Sequence, residues 1–204
     1  YSAAVFYKHI NNFLFRSSSS NIRNGTVGEN ESPEGVIISM PNNGDWAEVY
    51  GIELSGQQLL HWLPGVFSSL GIGGNLTLQR SKAVTGLSWH PEGYTLPLME
   101  TPETIANLQV FWERDGWEIY GAWNYQSEFM GGINDFGNNP FEQDYTFVDL
   151  TLRKTIFKKS AISVQVQNLF DSHTYWNTVS SGKGASRAYI KNGRSITFGL
   201  NLIL

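Results

Sequence analysis

Ser195-Ile196-Thr197-Phe198-Gly199-Leu200-Asn201-Leu202-Ile203-Leu204 closes the chain, and its alternation decides the fold. One side of this stretch carries Ile196, Phe198, Leu200, Leu202 and Leu204. The other carries Ser195, Thr197, Gly199 and Asn201, with Ile203 against the pattern. A side-chain period of two is that of a β-strand with one apolar and one polar face.

The same period recurs upstream. Ile162, Val164 and Val166 alternate with Ser163, Gln165 and Gln167, and Val148, Leu150 and Leu152 alternate with Asp149, Thr151 and Arg153. Leu108, Val110 and Trp112 alternate with Asn107, Gln109 and Glu113. Ile119, Gly121, Trp123 and Tyr125 alternate with Glu118, Tyr120, Asn124 and Gln126. Tyr50 to Ser55, Ile72 to Gln79, and Ala3, Val5 and Tyr7 complete the set, so the sequence predicts about eight strands.

The connections alternate in length. Short ones are expected at Trp62-Leu63-Pro64-Gly65, Arg114-Asp115-Gly116 and Phe157-Lys158-Lys159-Ser160, and long ones at 17–45, 82–95, 127–144 and 172–186. Turns on one side and large loops on the other make an up-and-down antiparallel meander. Strands of about nine to eleven residues with this loop asymmetry are the layout of a transmembrane β-barrel. The polar face supports a hydrated lumen. Asn75, Thr77, Gln79, Asn107, Gln109, Asn124, Gln126, Gln165 and Gln167 are uncharged, whereas the outer face of a soluble sandwich is normally charged. Aromatic residues near strand ends, at Trp46 and Tyr50, Trp112 and Trp117, and Tyr175 and Trp176, suit interfacial girdles.

Composition narrows the alternatives. Charged residues make up only 16% of the 204, and aromatics reach 14%, which excludes a solvating disordered chain. The net charge is −4, so a nucleic-acid partner lacks its electrostatic footing. With 0 Cys there is neither a disulfide scaffold nor a thiolate metal site. No run of 18 apolar residues forms a transmembrane helix. Tyr1-Ser2-Ala3-Ala4-Val5 is not a signal peptide, and a start inside a strand pattern favours a chain beginning mid-protein.

Catalytic and metal motifs are not found. His9, His61, His90 and His173 lie far apart, without metal-ligand spacing. Gly182-Lys183-Gly184 lacks the upstream glycine of a phosphate loop, and no Gly-x-Ser-x-Gly occurs. Neither Glu29, Glu31 and Glu34 nor Asp135, Glu142 and Asp144 have calcium-loop spacing. No enzyme activity, metal or cofactor is expected. The long loops instead concentrate aromatic residues: Trp89, His90, Tyr94, Phe129, Met130, Phe136, His173, Tyr175 and Trp176. These fit either ligand contact or packing between loops. Arg16, Arg23, Lys82 and Lys183 fit contacts to anionic groups or anchoring at a membrane edge.

Several segments, in order, resemble the C-terminal barrel region of TonB-dependent outer-membrane receptors. They are Pro41 to Leu54 with its Gly51-Ile52-Glu53 core, Leu63-Pro64-Gly65 with Gly74-Asn75-Leu76-Thr77, and Thr101-Pro102 through Leu108. Asp149-Leu150-Thr151-Leu152, Asn168-Leu169-Phe170-Asp171 and Gly193 to Gly199 follow, the Asn-Leu-Phe-Asp tetrapeptide being the most specific. Thr197, Gly199, Leu202 and Leu204 are similar to the terminal barrel-assembly signal, although its last residue is usually aromatic.

The resemblance implies that residues 1–204 are the last third or so of a receptor, an arc of a twenty-two-stranded barrel in the bacterial outer membrane. Its plug domain and energy-coupling box would lie elsewhere. It further implies contact with lipid, the barrel-assembly machinery and, through the missing part, the inner-membrane TonB complex. The ligand would be a scarce small molecule, such as an iron-siderophore or another nutrient. Ligand contacts would come from Trp89, His90, Tyr94, Phe129, Phe136, His173 and Trp176, with Glu53, Asp149 and Arg153 in the lumen. Two other readings stay open: a complete eight-stranded outer-membrane barrel with a structural or adhesive role, and a soluble β-protein holding an apolar ligand in its mouth.

Overall fold

A computed structural model describes residues 1–19, 38–88, 90–134, 139–157, 160–178 and 184–202. Fifteen strands follow one another: β1 (Ser2–Asn11), β2 (Leu14–Ser19), β3 (Ile38–Asn43), β4 (Trp46–Leu59), β5 (Leu70–Val84), β6 (Thr104–Arg114), β7 (Trp117–Gln126), β8 (Phe129–Met130), β9 (Ile133–Asn134), β10 (Phe141–Glu142), β11 (Tyr145–Phe157), β12 (Ser160–Gln167), β13 (His173–Asn177), β14 (Ser186–Lys191) and β15 (Ser195–Asn201). Eight of them form one antiparallel sheet in the order β1-β4-β5-β6-β7-β11-β12-β15. Each therefore pairs with the next long strand in the chain, as the meander requires. Among the described residues β1 pairs only with β4 and β15 only with β12, so the sheet has two open edges.

Register carries the alternation from strand to strand. On one face Leu54, Leu76, Ala106 and Tyr125 stand in a row, and Val110, Gly121, Leu150, Val166 and Ile196 form another. On the opposite face Ser55, Asn75, Asn107 and Asn124 form a polar row. Any one-residue slip would exchange the faces, so the pattern fixes the register.

Among the described residues nothing covers the apolar face. Val5 is 83% exposed, Leu54 43%, Leu108 41% and Phe198 78%. The buried hydrophobic residues among those described are few: Phe13, Phe15, Ala47, Val49, Ala83, Leu96, Met130, Ile133 and Ala161. An eight-stranded sheet in water must bury its apolar side against a second layer. A lipid layer would supply one.

The short connections lie at one end. Asp115 (φ 52°) and Gly116 (φ 74°) make the two-residue turn between β6 and β7. Both central residues need positive φ in such a turn, and Asp-Gly supplies it. Trp112, Trp117 and Lys154 mark this rim, with the Lys154 ammonium 4.8 Å from the Trp117 ring centre. A cation beside an interfacial Trp anchors a strand at the membrane edge.

At the other end the long connections contain strands of their own. The sequence reading places loops at 82–95 and 172–186, but β5 continues to Val84 and residues 173–177 are strand. The β4–β5 ladder runs unbroken from Leu59 opposite Gly71 to Trp46 opposite Val84, so the wall rises beyond the bilayer-length stretch. Tyr175 and Trp176 accordingly belong to the loop layer, not to a girdle at a wall-strand end.

Candidate functional site

Two surfaces face inward or upward from this wall. The first is the polar face itself. Asn75, Asn107, Gln109, Tyr120 and Asn124 line an open concavity of about 430 Å³. The Asn107 amide donates to the Asn75 side-chain oxygen at 2.7 Å, and the Tyr120 hydroxyl donates to Gln109 at 2.9 Å. Lower on the same face Arg153 pairs with Glu118. These neutral and paired groups share the face with Glu53, which stands opposite Thr77.

Asp149 has a narrower role than a free lumenal acid. Its carboxylate accepts the Asn168 backbone N–H at 2.8 Å, tying the exit of β12 to β11. Asn168 is buried and adopts φ 51°. Its side-chain amide donates to the Ser172 and Gly193 carbonyls at 3.0 and 2.9 Å, while its oxygen accepts the Ser172 N–H at 2.8 Å. Asn tolerates the left-handed region and offers both donor and acceptor, so one side chain closes the neck of the last long loop.

The second surface is the loop cap. Two small sheets build it, one in the order β14-β13-β10-β8 and one in the order β3-β2-β9. They bind connections distant in sequence, since β2 of the first long loop pairs in parallel with β9 of the third, and β13 of the fourth pairs with β10 of the third. The Glu100 N–H, from the second, donates to the Met130 carbonyl at 2.9 Å. Phe13, Phe15, Met130, Ile133 and Leu96 pack with Ala47 and Ala83 into the molecule's core cluster. Ala47 and Ala83 are register partners on the polar face, so the first loop folds inward over the lumen rather than out toward lipid. Beside this core, Phe13, Leu14, Phe15, Arg16, Leu98 and Met99 line a groove of about 570 Å³, with Glu100 at its rim.

The residues singled out from sequence fall into separate groups. Trp89, Phe136 and Leu204 lie outside the described residues, as do Arg23, Lys183, Asp135 and the 29–34 acidic set. The His90 and Tyr94 rings meet at a tilt, 4.6 Å apart, within one loop, and the buried Thr85 hydroxyl lies 2.8 Å from His90 Nδ1. Burial lowers the His90 pKa. Phe129 and Trp176 meet edge to face at 6.1 Å across β10. The His173 and Tyr175 rings are tilted at 6.4 Å, and Tyr175 stacks on Tyr189 at 6.2 Å. Among the described residues no ring contact joins these groups. Of the described ligand candidates none lines the groove. Its walls come from the apolar triplet Phe13-Leu14-Phe15, which the sequence analysis did not single out, and from Leu98-Met99. An apolar triplet directly before the serine-rich loop was the available signal. Arg16 was marked as a possible anion contact and does reach the groove. At the terminus, Thr197 and Gly199 sit on the polar face of β15, with Gly199 against Ser163.

An open antiparallel meander with a bare apolar face, a polar concave face and long connections at one end defines the wall of a transmembrane β-barrel. Residues 1–169 match the model of the family described as TonB dependent receptor-like, beta-barrel, and the chain belongs to that family. No curated protein and no solved structure gave a match.

Proposed function

We propose that this chain is the C-terminal portion of the barrel of an energy-coupled outer-membrane uptake receptor, and that its cap receives the ligand. The observation that carries the proposal is the pairing of an uncovered apolar face with a polar inner face roofed by inward-folded loops. Such a wall belongs in lipid. Its open β1 and β15 edges need further strands, because unpaired backbone groups in hydrocarbon cost several kcal/mol each, on the order of the penalty for any buried polar group. An arc of a wider barrel meets that need, with a plug filling the remaining lumen. Thr197, Gly199, Leu202 and Leu204 then serve as the strand end offered to the assembly machinery. The ligand is a scarce small molecule, a siderophore or similar nutrient chelate. Arg16 lines the groove, and Trp89, His90, Tyr94, Phe129, Phe136, His173 and Trp176 are the aromatic contact candidates of the long loops. The barrel performs no covalent step.

Deleting 127–144 would remove β8, β9 and β10, the hub that ties the cap together, and so would not isolate ligand contact. Reversing charge in the groove is cleaner. Leu14 is 75% exposed and Arg16 is also exposed, so Leu14→Glu with Arg16→Glu leaves the core intact. In the intact receptor this pair is expected to weaken ligand binding and energy-dependent uptake by about tenfold or more, the worth of one charge-assisted contact. Unchanged binding and uptake would remove the groove from the mechanism.

A further inference from the structure

One acid in the loop sheet stands between two rings and, among the described residues, has no ion-pair partner. In register, Phe129 of β8 stands opposite Glu142 of β10, and Glu142 opposite Trp176 of β13. Directly opposed residues share a face, so the three side chains emerge together. The neighbouring row, Met130, Phe141 and Asn177, takes the other face, where Met130 is buried and Phe141 packs on the core. The sheet is thus pinned from behind.

Strands two places apart lie about 9.6 Å from each other, twice the usual spacing. The Phe129 and Trp176 ring centres are 6.1 Å apart. The rings therefore lean inward over Glu142. Trp176 is also seated against Gly131, where a Cβ would strike its ring, so the indole position is fixed. This enclosure partly buries the Glu142 carboxyl and raises its pKa. No ion pair to Glu142 occurs among the described residues.

A partly desolvated carboxylate with no ion-pair partner among the described residues favours a proton or a cation. The rings select which cation. Ring faces attract a cation with an apolar surround. A hard metal ion needs several oxygens, and no group of three acidic, His or Cys side chains converges among the described residues. We propose that Phe129, Glu142 and Trp176 form a site for an organic cation, a substituted ammonium or guanidinium group carried by the ligand. The proposal rests on the reading of the cap as the ligand-receiving surface.

The test uses the intact receptor in detergent, with tetramethylammonium and methylguanidinium as probes at constant ionic strength. Saturation-transfer NMR reads binding. The expected result is saturable binding to the parent receptor, weakened about tenfold or more in Glu142→Gln and in Trp176→Leu, and largely kept in Trp176→Phe. Asp144→Asn, a control for loss of a nearby loop charge, should bind as the parent does. Heat-modifiable migration on gels checks that each variant is folded. No saturable binding by the parent, or equal binding by Glu142→Gln, overturns the site. Probe binding that survives in a receptor showing no energy-dependent uptake would count against the transport reading and leave the site standing.

Discussion

An arginine at Leu150 should be far more damaging than the same arginine at Thr151, one residue away. Leu150 lies opposite Gly121 on the apolar face, while Thr151 lies opposite Tyr120 and Gln165 on the polar face. Depth follows from the neighbouring strand. Trp117 and Tyr125 bound the apolar stretch of β7, eight residue steps apart. At about 3.4 Å per step this is about 27 Å along the strand, or about 21 Å of height at a tilt near 40°. Gly121 is midway, which puts Leu150 about 10 Å from either aromatic rim. A lipid-facing Arg near the midplane costs about 2–4 kcal/mol, whereas a lumenal one costs about 1 kcal/mol or less. The first figure is a roughly 30- to 1,000-fold shift in folding equilibrium. Urea titration of the intact receptor folded into lipid vesicles, followed by tryptophan fluorescence, measures both variants against the parent. Equal losses, or a larger loss at Thr151, would refute the assignment of the apolar face to lipid.

Two further outcomes follow from the loop layer. Asn168→Ala removes three side-chain hydrogen bonds and leaves a non-glycine residue at φ 51°, so the last long loop should loosen by about 2–3 kcal/mol. Asn168→Gly keeps the backbone freedom and should recover about 0.5–1 kcal/mol of that, read as amide exchange at residues 168–172. Glu142 predicts a pH dependence. Its folded pKa is raised, so between the ordinary carboxylate value and the raised one the folded cap holds the extra proton. Its contribution is full below the ordinary value and is lost as pH rises through the raised one. Exchange protection of the β10 amides, corrected for intrinsic rates, should fall across that window in the parent and not in Glu142→Gln.

The wall was legible because its signals are local and repeated. Leu108, Val110 and Trp112 against Asn107, Gln109 and Glu113 announce a two-faced strand without knowledge of the neighbours, and Asp115-Gly116 announces its turn. The cap was not legible, for physical reasons. β8, β9 and β10 are two residues each, too short to show any period. The pairing of Ser17 with Ile133 joins residues of different loops, and no local pattern encodes so distant a contact. The loop aromatics were found as a class, yet their grouping was not: Phe129 and Trp176 meet only because Glu142 stands between them in register. Asn168 was legible as a resemblance before its reason was visible, which is the left-handed backbone and the three bonds that close the loop neck.

Two alanines connect these halves of the molecule. Elsewhere the polar face of the wall carries amides, hydroxyls, charged groups and large rings among a few small residues such as Gly73 and Ala122. At the top of β4 and β5, Ala47 and Ala83 are opposed and almost wholly buried, and Leu96 bridges back to Ala83. The shallow seat they leave admits Phe13 and Phe15. Gly44 deepens it, since any Cβ there would strike the Phe13 ring. The apolar contact that a membrane wall cannot form within its own sheet is thus formed above it, between loops and the last turns of the lumenal face. That placement turns the first and third loops inward, brings Arg16 and Leu14 to the groove, and fixes β10 so that Glu142 stays under its two rings. The inward direction of the first and third loops thus rests on small side chains at two paired positions.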